Sequence, residues 1–205
     1  GTDGSFSIVT CEANSCTSAL VENSDRDSSN PITGRTGESV AVTCDPGYDG
    51  GGRVVCGTDG SFSTVSCRAN ACEPASVANS DMSRDGAIRG VTGDTFTVTC
   101  NRGYSGGGVA ECGTDGSFST VTCVANSCAP ASVANSDRDS GNPITGVTGD
   151  RVPIQCNQGY ASDHAHAVCG TSGSFRVPTC EPVACTPANI EHSNFAQTGS
   201  IIGAT

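Results

Sequence analysis

The sequence has no tryptophan and no lysine, a single methionine, and only 4% aromatic residues in a chain of 205. So few large apolar side chains cannot fill one large hydrophobic core. The absence of lysine excludes Schiff-base chemistry and P-loop nucleotide binding, because both depend on a lysine amine. No run of 18 apolar residues is present, so the sequence predicts no membrane-spanning helix.

Positive charge is also scarce. Ten arginines stand against 21 acidic residues, which gives a net charge of −11. An excess of negative charge disfavours nucleic acid and anionic membranes as partners. We therefore expect neither nucleic-acid binding nor membrane insertion.

Cysteine and glycine are abundant, with 14 and 27 residues respectively. Many cysteines beside almost no methionine or tryptophan are typical of a secreted, disulfide-built protein, so we predict an extracellular location. A cytosolic metal protein is the alternative, but it would show closely spaced CxxC pairs, and this sequence has none.

The cysteines recur at an interval of about 56 residues, as at Cys16, Cys72 and Cys128. Other residues keep the same phase, including the tyrosine in CDPGY, CNRGY and CNQGY. This repetition predicts three complete modules between two partial ones. The predicted segments are a module end at 1–11, module 1 at 16–67, module 2 at 72–123, module 3 at 128–180, and a module beginning at 185–205.

Within each module the pattern favours strands, so we predict an all-β fold. SVAVTC at 39–44, TFTVTC at 95–100 and RVPIQC at 151–156 alternate apolar and polar residues. Only four residues separate one module from the next. Linkers this short restrict swivelling, and we expect the modules to form an elongated rod.

Four cysteines per module allow three disulfide pairings, and the spacing does not choose among them. The modules share one order of features: Cys, a long gap, CxxGY, a Gly-rich turn, Cys, Asp-Gly-Ser-Phe and Cys. Over the whole chain, this order resembles the sushi domain, or complement control protein module. Near-identical tandem copies also look like repeats in very large secreted proteins of unicellular eukaryotes. The resemblance implies first-to-third and second-to-fourth disulfides, namely Cys16–Cys56, Cys44–Cys67, Cys72–Cys112, Cys100–Cys123, Cys128–Cys169 and Cys156–Cys180.

The chain departs from the family at the tryptophan before the last cysteine, where it has Phe62, Phe118 and Phe175. We expect each phenylalanine to be largely buried beside the second-to-fourth disulfide of its module.

In the partial modules, Cys11 and Cys185 lack the cysteines that would pair with them, so we expect both to be unpaired within this chain. The chain has no initiator methionine and no signal peptide. We expect it to be a window on a longer array, with its termini at opposite ends of a rod and each partial module completed by neighbouring chain.

No catalytic constellation is recognisable, and we expect the protein not to be an enzyme. The three histidines, His164, His166 and His192, do not recur in the other modules. Asp163, His164 and His166 could ligate a metal, but we favour a solvated turn at this position.

A recurring acidic loop offers a second metal interpretation. Alternate oxygen-bearing side chains resemble the start of a calcium loop, but the later bidentate glutamate of an EF-hand is missing. Asp and Asn also serve plain turns, which is the interpretation we prefer, with no metal or other cofactor bound. The calcium candidates are Asp25, Asp27, Asp81, Asp85, Asp137 and Asp139.

Two classes of function fit these observations. Near-identical modules predict a structural repeat protein that forms or lines a surface fibre, such as a flagellar hair or cell-coat fibril, with copies of itself or neighbouring modules as partners. The alternative is an adhesion or recognition array that binds a protein or glycan. No Asn-x-Ser/Thr sequon is present, while serine and threonine are frequent, so O-linked rather than N-linked sugar is expected.

Peptide mapping of the unreduced protein tests the sushi assignment. Digestion should release peptides joined by Cys72–Cys112 and by Cys100–Cys123. Recovery of a Cys67–Cys72 bond across the linker would contradict the assignment.

Overall fold

The computed structural model describes residue 4 and residues 10–188, 190–194 and 201–204. These residues contain no helix, so none that could cross a membrane, and the all-β prediction is confirmed. The strands are β1 (Ser39–Val42), β2 (Tyr48–Gly50), β3 (Gly52–Val55), β4 (Cys67–Ala69), β5 (Thr95–Val98), β6 (Tyr104–Gly106), β7 (Gly108–Glu111), β8 (Cys123–Ala125), β9 (Arg151–Pro153), β10 (Tyr160–Ala161), β11 (His166–Cys169), β12 (Phe175–Arg176) and β13 (Glu181–Pro182).

The strands pair in small sheets that repeat from module to module. In module 1, β1 pairs antiparallel with β3, and β2 pairs antiparallel with β4. In module 2, β5 joins β7 and β6 joins β8. Module 3 has the order β12-β11-β9 in one sheet, and its β10 pairs with β13 in the linker that follows. The three alternating segments form β1, β5 and β9, which confirms the predicted strands, and Pro153 lies in the edge strand β9 because proline has no N–H to donate.

Six disulfides close within the predicted modules. They are Cys16–Cys56, Cys44–Cys67, Cys72–Cys112, Cys100–Cys123, Cys128–Cys169 and Cys156–Cys180. These are the pairs that the sushi resemblance implies, and their number indicates folding in an oxidising compartment. Cys11 and Cys185 are exposed free thiols.

The cores are small and built from equivalent positions. Ile32, Ile88 and Ile144 are each 1% exposed. In module 1, Ile32 belongs to a cluster with Val21, Val42, Val54, Cys56 and Phe62. A cluster of this size removes little apolar surface from water, so the cross-links supply much of the stability.

The predicted burial of the phenylalanines is wrong in part. Phe62 is buried at 9% exposure, whereas Phe118 and Phe175 are half-buried. The expected place beside the second-to-fourth disulfide stays a prediction, although Cys67 packs against the cluster that contains Phe62. The Phe62 backbone bridges Cys56, so this residue also adjoins the first-to-third disulfide. The reason is the tight Asp-Gly turn, in which the Gly57 N–H donates to the Ser61 carbonyl over 2.8 Å and the chain folds back onto the third cysteine. Phe118 and Phe175 adjoin Cys112 and Cys169 in the same way.

The chain forms two compact units, and the division runs through module 2. Unit one comprises Gly1–Ser76, Arg84–Thr97 and Val109–Thr120, and unit two comprises Val77–Ser83, Val98–Gly108 and Val121–Thr205. Unit one therefore contains module 1 and the Cys72–Cys112 disulfide, and unit two contains Cys100–Cys123 and module 3. The predicted module boundaries and the rod-like arrangement stay predictions.

Candidate functional site at the module junctions

The four-residue linkers are part of the β structure on both sides. In unit one, Ala69 pairs with Tyr48 of module 1 through β4 and β2. Two residues later, Ala71 forms a β-bridge with Val91, which belongs to module 2. We call such a linker, with the residues that hydrogen-bond to it from either side, a module junction.

Asn70 is the central residue of this junction. Its N–H donates to the Gly47 carbonyl over 2.9 Å, and its own carbonyl accepts from the Thr92 N–H over 2.8 Å. The Thr92 hydroxyl donates to the same Gly47 carbonyl at 2.9 Å. Three hydrogen bonds therefore join module 1, the linker and the adjoining part of module 2.

Gly47 is required at this position by its conformation and its surroundings. Its φ is +86°, in the region that favours glycine. A Cβ there would lie 2.8 Å from Thr92 Cγ2 and 2.9 Å from Thr114 Cα, closer than packed atoms allow. The glycine of the CxxGY sequence thus permits the chain of the next module to approach closely.

The backbone contacts of this junction recur in unit two, where the Thr148 hydroxyl donates to the Asn126 carbonyl over 3.3 Å. The Asn126 N–H donates to the Gly103 carbonyl over 2.9 Å, and its carbonyl accepts from the Thr148 N–H over 2.8 Å. Gly103 has a φ of +89°, and a Cβ there would lie 2.9 Å from Thr148 Cγ2 and from Thr171 Cα. Thr92 and Thr148 are both buried, which shields their hydrogen bonds from water.

Parts of the junction are also present beyond the complete modules. The Thr36 N–H donates to the Asn14 carbonyl over 2.8 Å, and the Val183 N–H donates to the Gly159 carbonyl over 2.8 Å. The hydrogen bond to the glycine carbonyl is therefore present even where the linker has valine instead of asparagine, because the donor is the backbone N–H of the linker residue. Sequence reasoning missed the junction, although its threonine and glycine recur in phase with the cysteines.

The acidic loops are held by hydrogen bonds to the backbone. The Asp25 N–H donates to the Thr43 carbonyl over 2.9 Å, and Asp25 Oδ1 accepts from the Thr43 N–H over 2.7 Å. Asp81 and Asp137 make the same two-way contact with Thr99 and Gln155, with carboxylate distances of 2.9 and 2.8 Å. In each loop the first aspartate ties the loop to the strand segment before the second cysteine.

The second aspartates of the loops lie in turns. Asp27 Oδ1 accepts from the Ser29 N–H over 2.9 Å and from the Ser29 hydroxyl over 2.6 Å. The hydroxyl contact in particular holds the pKa of Asp27 below its usual value. Asp139 Oδ1 accepts from the Gly141 N–H over 2.9 Å, and Asp85 is exposed.

These contacts bear on the calcium interpretation. Within the described ranges, no group of three or more His, Cys, Asp or Glu side chains is placed to hold a metal ion. One carboxylate oxygen of each first aspartate is already engaged by a backbone N–H, whereas a calcium site needs six or more oxygen ligands. The loops therefore resemble solvated turns in their geometry.

The histidine segment of module 3 is exposed. His164 Nδ1 is 2.7 Å from Asp163 Oδ1, and both side chains are well exposed. The hydrogen bond from His164 lowers the pKa of Asp163. His166 is also exposed and begins β11.

No protein-family model matches the chain. The sushi resemblance therefore rests on the cysteine spacing and the recurring CxxGY and Asp-Gly-Ser-Phe sequences. The all-β, disulfide-rich fold is shown, and the family assignment remains our proposal.

Thr92→Val tests the junction. The substitution keeps the side-chain volume and removes the hydroxyl that donates to Gly47, at a cost of about 1 kcal/mol. We expect the amides of Asn70 and Thr92 to exchange with deuterium about fivefold faster, as RT ln 5 is close to this energy, while the module cores keep their protection. Thr97→Val, at an exposed strand position, is the matched control and should leave both rates unchanged. Equal protection in the Thr92 and Thr97 variants would contradict the junction's energetic role.

A calcium titration tests the account of the acidic loops. Because the first aspartates already bind backbone N–H groups, millimolar calcium should shift the melting temperature no more than an equal ionic strength of sodium chloride does. Asp81→Ala should instead destabilise module 2 without calcium, by about 1 kcal/mol, since it removes the exposed hydrogen bond from the Thr99 N–H to the carboxylate. A rise of many degrees with calcium, reversed by EDTA, would overturn this account.

Proposed function

We propose that this protein is a non-catalytic, extracellular structural repeat protein of the sushi type that forms or lines a surface fibre. The observation that carries the proposal is the recurrence of the module junction, with the same backbone hydrogen bonds and a glycine at the same close approach in both units. A chain whose successive modules are joined by the same hydrogen bonds suits a role in which every module does the same work.

The disulfides support this role because they limit how far a module can extend. In module 1, a force that enters at Cys16 passes through its disulfide to Cys56, and then along the chain to Cys67. The segment from Cys56 to Cys67 is 11 residues long and spans at most about 40 Å when fully extended. Without the cross-links, the whole chain from Cys16 to Cys67 could extend, so the disulfide pattern favours a load-bearing protein.

The surface of the modules is compatible with an extracellular location. Strand faces carry exposed threonines, such as Thr97, that could bear O-linked sugar. The partners in this proposal are copies of the same chain or neighbouring modules of a longer one.

A second candidate function is an adhesion array, and one observation favours it. Module 3 has a cleft lined by Arg151, His164, His166 and Arg176. At the four corresponding positions, module 1 has Ser39, Gly51, Arg53 and Ser63. A surface feature confined to one module is what a recognition site for a separate ligand would require.

Electron microscopy of the native material distinguishes the two functions. The structural proposal predicts filaments with an axial repeat, and antibodies to this chain should label them at regular intervals. Reduction of the disulfides should weaken or dissolve the filaments, whereas EDTA should not. Labelling of a non-filamentous coat, together with capture of a defined soluble ligand by module 3, would favour the adhesion array instead.

A further inference from the structure

The cleft of module 3 is built on the exposed face of its three-stranded sheet. Arg151 in β9 and Arg176 in β12 both pair with Val168 in β11, from opposite sides. Cross-strand partners project from the same face of a sheet, so the two guanidinium groups flank Val168. His166 lies two residues earlier in β11 and therefore on the same face. The cleft has a volume of about 370 Å³, and we call it the basic cleft.

The basic cleft carries positive charge that the described part of the chain does not neutralise. Its one acidic lining residue, Asp163, pairs with His164 at 2.7 Å. Among the described residues, neither Arg151 nor Arg176 has a carboxylate within ion-pair distance. Such a site stands out in a chain whose net charge is −11.

The two arginines replace residues that have local roles in module 1. There the corresponding positions are Ser39, whose hydroxyl accepts from Arg53 over 2.8 Å, and Ser63, whose hydroxyl accepts from the Val55 N–H over 2.9 Å. The serines thus close hydrogen bonds within their own sheet. Longer guanidinium side chains at these positions instead extend charge into solvent, where a partner can meet it.

The chain itself offers a complementary partner surface. Module 1 has seven acidic residues against three arginines, whereas module 3 has four against three. Three of the acids, Glu22, Asp25 and Asp27, are exposed in one loop. Arg26 in the same loop lies 3.5 Å from the Asp25 carboxylate, so Glu22 and Asp27 carry the loop's net negative charge. The hydrogen bonds to Thr43 and Ser29 hold this loop in place, so little conformational entropy would be lost on binding.

We propose that the basic cleft of module 3 binds the acidic loop of module 1 in a second copy of this chain. The contact joins two different surfaces, so it is heterologous and can continue from copy to copy in an open assembly. This inference rests on the proposed structural function and assigns the surfaces by which copies would associate. Arginine is suited to such a contact because its planar guanidinium can bind a carboxylate through two parallel hydrogen bonds.

Sedimentation velocity of the 205-residue chain tests the proposal, with the exposed thiols of Cys11 and Cys185 alkylated so that they cannot cross-link copies. At low salt, the weight-average sedimentation coefficient should rise with protein concentration, and sodium chloride should reverse the rise because it screens exposed charges. The double variant Arg151→Ser, Arg176→Ser places in module 3 the residues that module 1 has, so the fold should tolerate it. We expect its self-association to weaken at least tenfold.

Two further variants complete the test. The double variant Glu22→Gln, Asp27→Asn removes negative charge from the acidic loop. It should weaken self-association about as much as the double cleft variant does. Arg84→Ser also introduces the residue that module 1 has at the corresponding position, but it lies outside the cleft, so it should associate like the wild type. A wild type that stays monomeric at all concentrations, or a cleft variant that associates like the wild type, would overturn the proposal.

The outcomes separate this inference from the proposed function. Filaments in native material together with unaltered association of the cleft variant would leave the structural function standing and remove the inference. Retention on immobilised heparin that the double cleft variant loses, with self-association unchanged, would identify the basic cleft as a site for a sulfated glycan and also overturn the inference.

Discussion

Two disulfides close every complete module, and the rest of the fold depends on this cross-linking. Each module has one fully buried isoleucine, such as Ile32, and a handful of smaller apolar side chains around it. On the chain-entropy model, loops of 40 and 23 residues contribute about 3–4 kcal/mol each. Short strands, glycine turns and exposed loops can therefore coexist with a stable fold, since the disulfides remove much of the disorder that the unfolded chain would otherwise have.

The cross-links also explain why the junctions can be so small. The second cysteine pair ends each module at its fourth cysteine, and only four residues separate this cysteine from the next module. With both neighbours rigid, backbone hydrogen bonds at Asn70 and one threonine hydroxyl are enough to hold the linker. Gly47 makes the arrangement sterically feasible, because any side chain there would collide with Thr92 and Thr114.

Much of this fold could be predicted from the sequence, because its signals are local or periodic. Alternation of apolar and polar residues predicted the strands β1, β5 and β9, and the cysteine pattern, through the sushi resemblance, implied the disulfide pairs. The surroundings of Phe62 could not be predicted, because they depend on how tightly the turn at Gly60 reverses the chain. The junction was missed because Gly47 and Thr92 are 45 residues apart, and the sequence alone presents Thr92 as an ordinary strand former. The basic cleft depends on the pairing of Arg151 and Arg176 with the same residue of β11, which the sequence does not reveal.

The central claim is that the junction holds module 1 and the adjoining part of module 2 as one body. Residual dipolar couplings of backbone amides in the weakly aligned, nitrogen-15-labelled protein test it most directly. A single alignment tensor should fit the amides of module 1 together with those of Arg84–Thr97 and Val109–Thr120, because all of them belong to unit one. Separate tensors of clearly different magnitude for module 1 and for these two segments would show that the linker swivels, and would contradict the account.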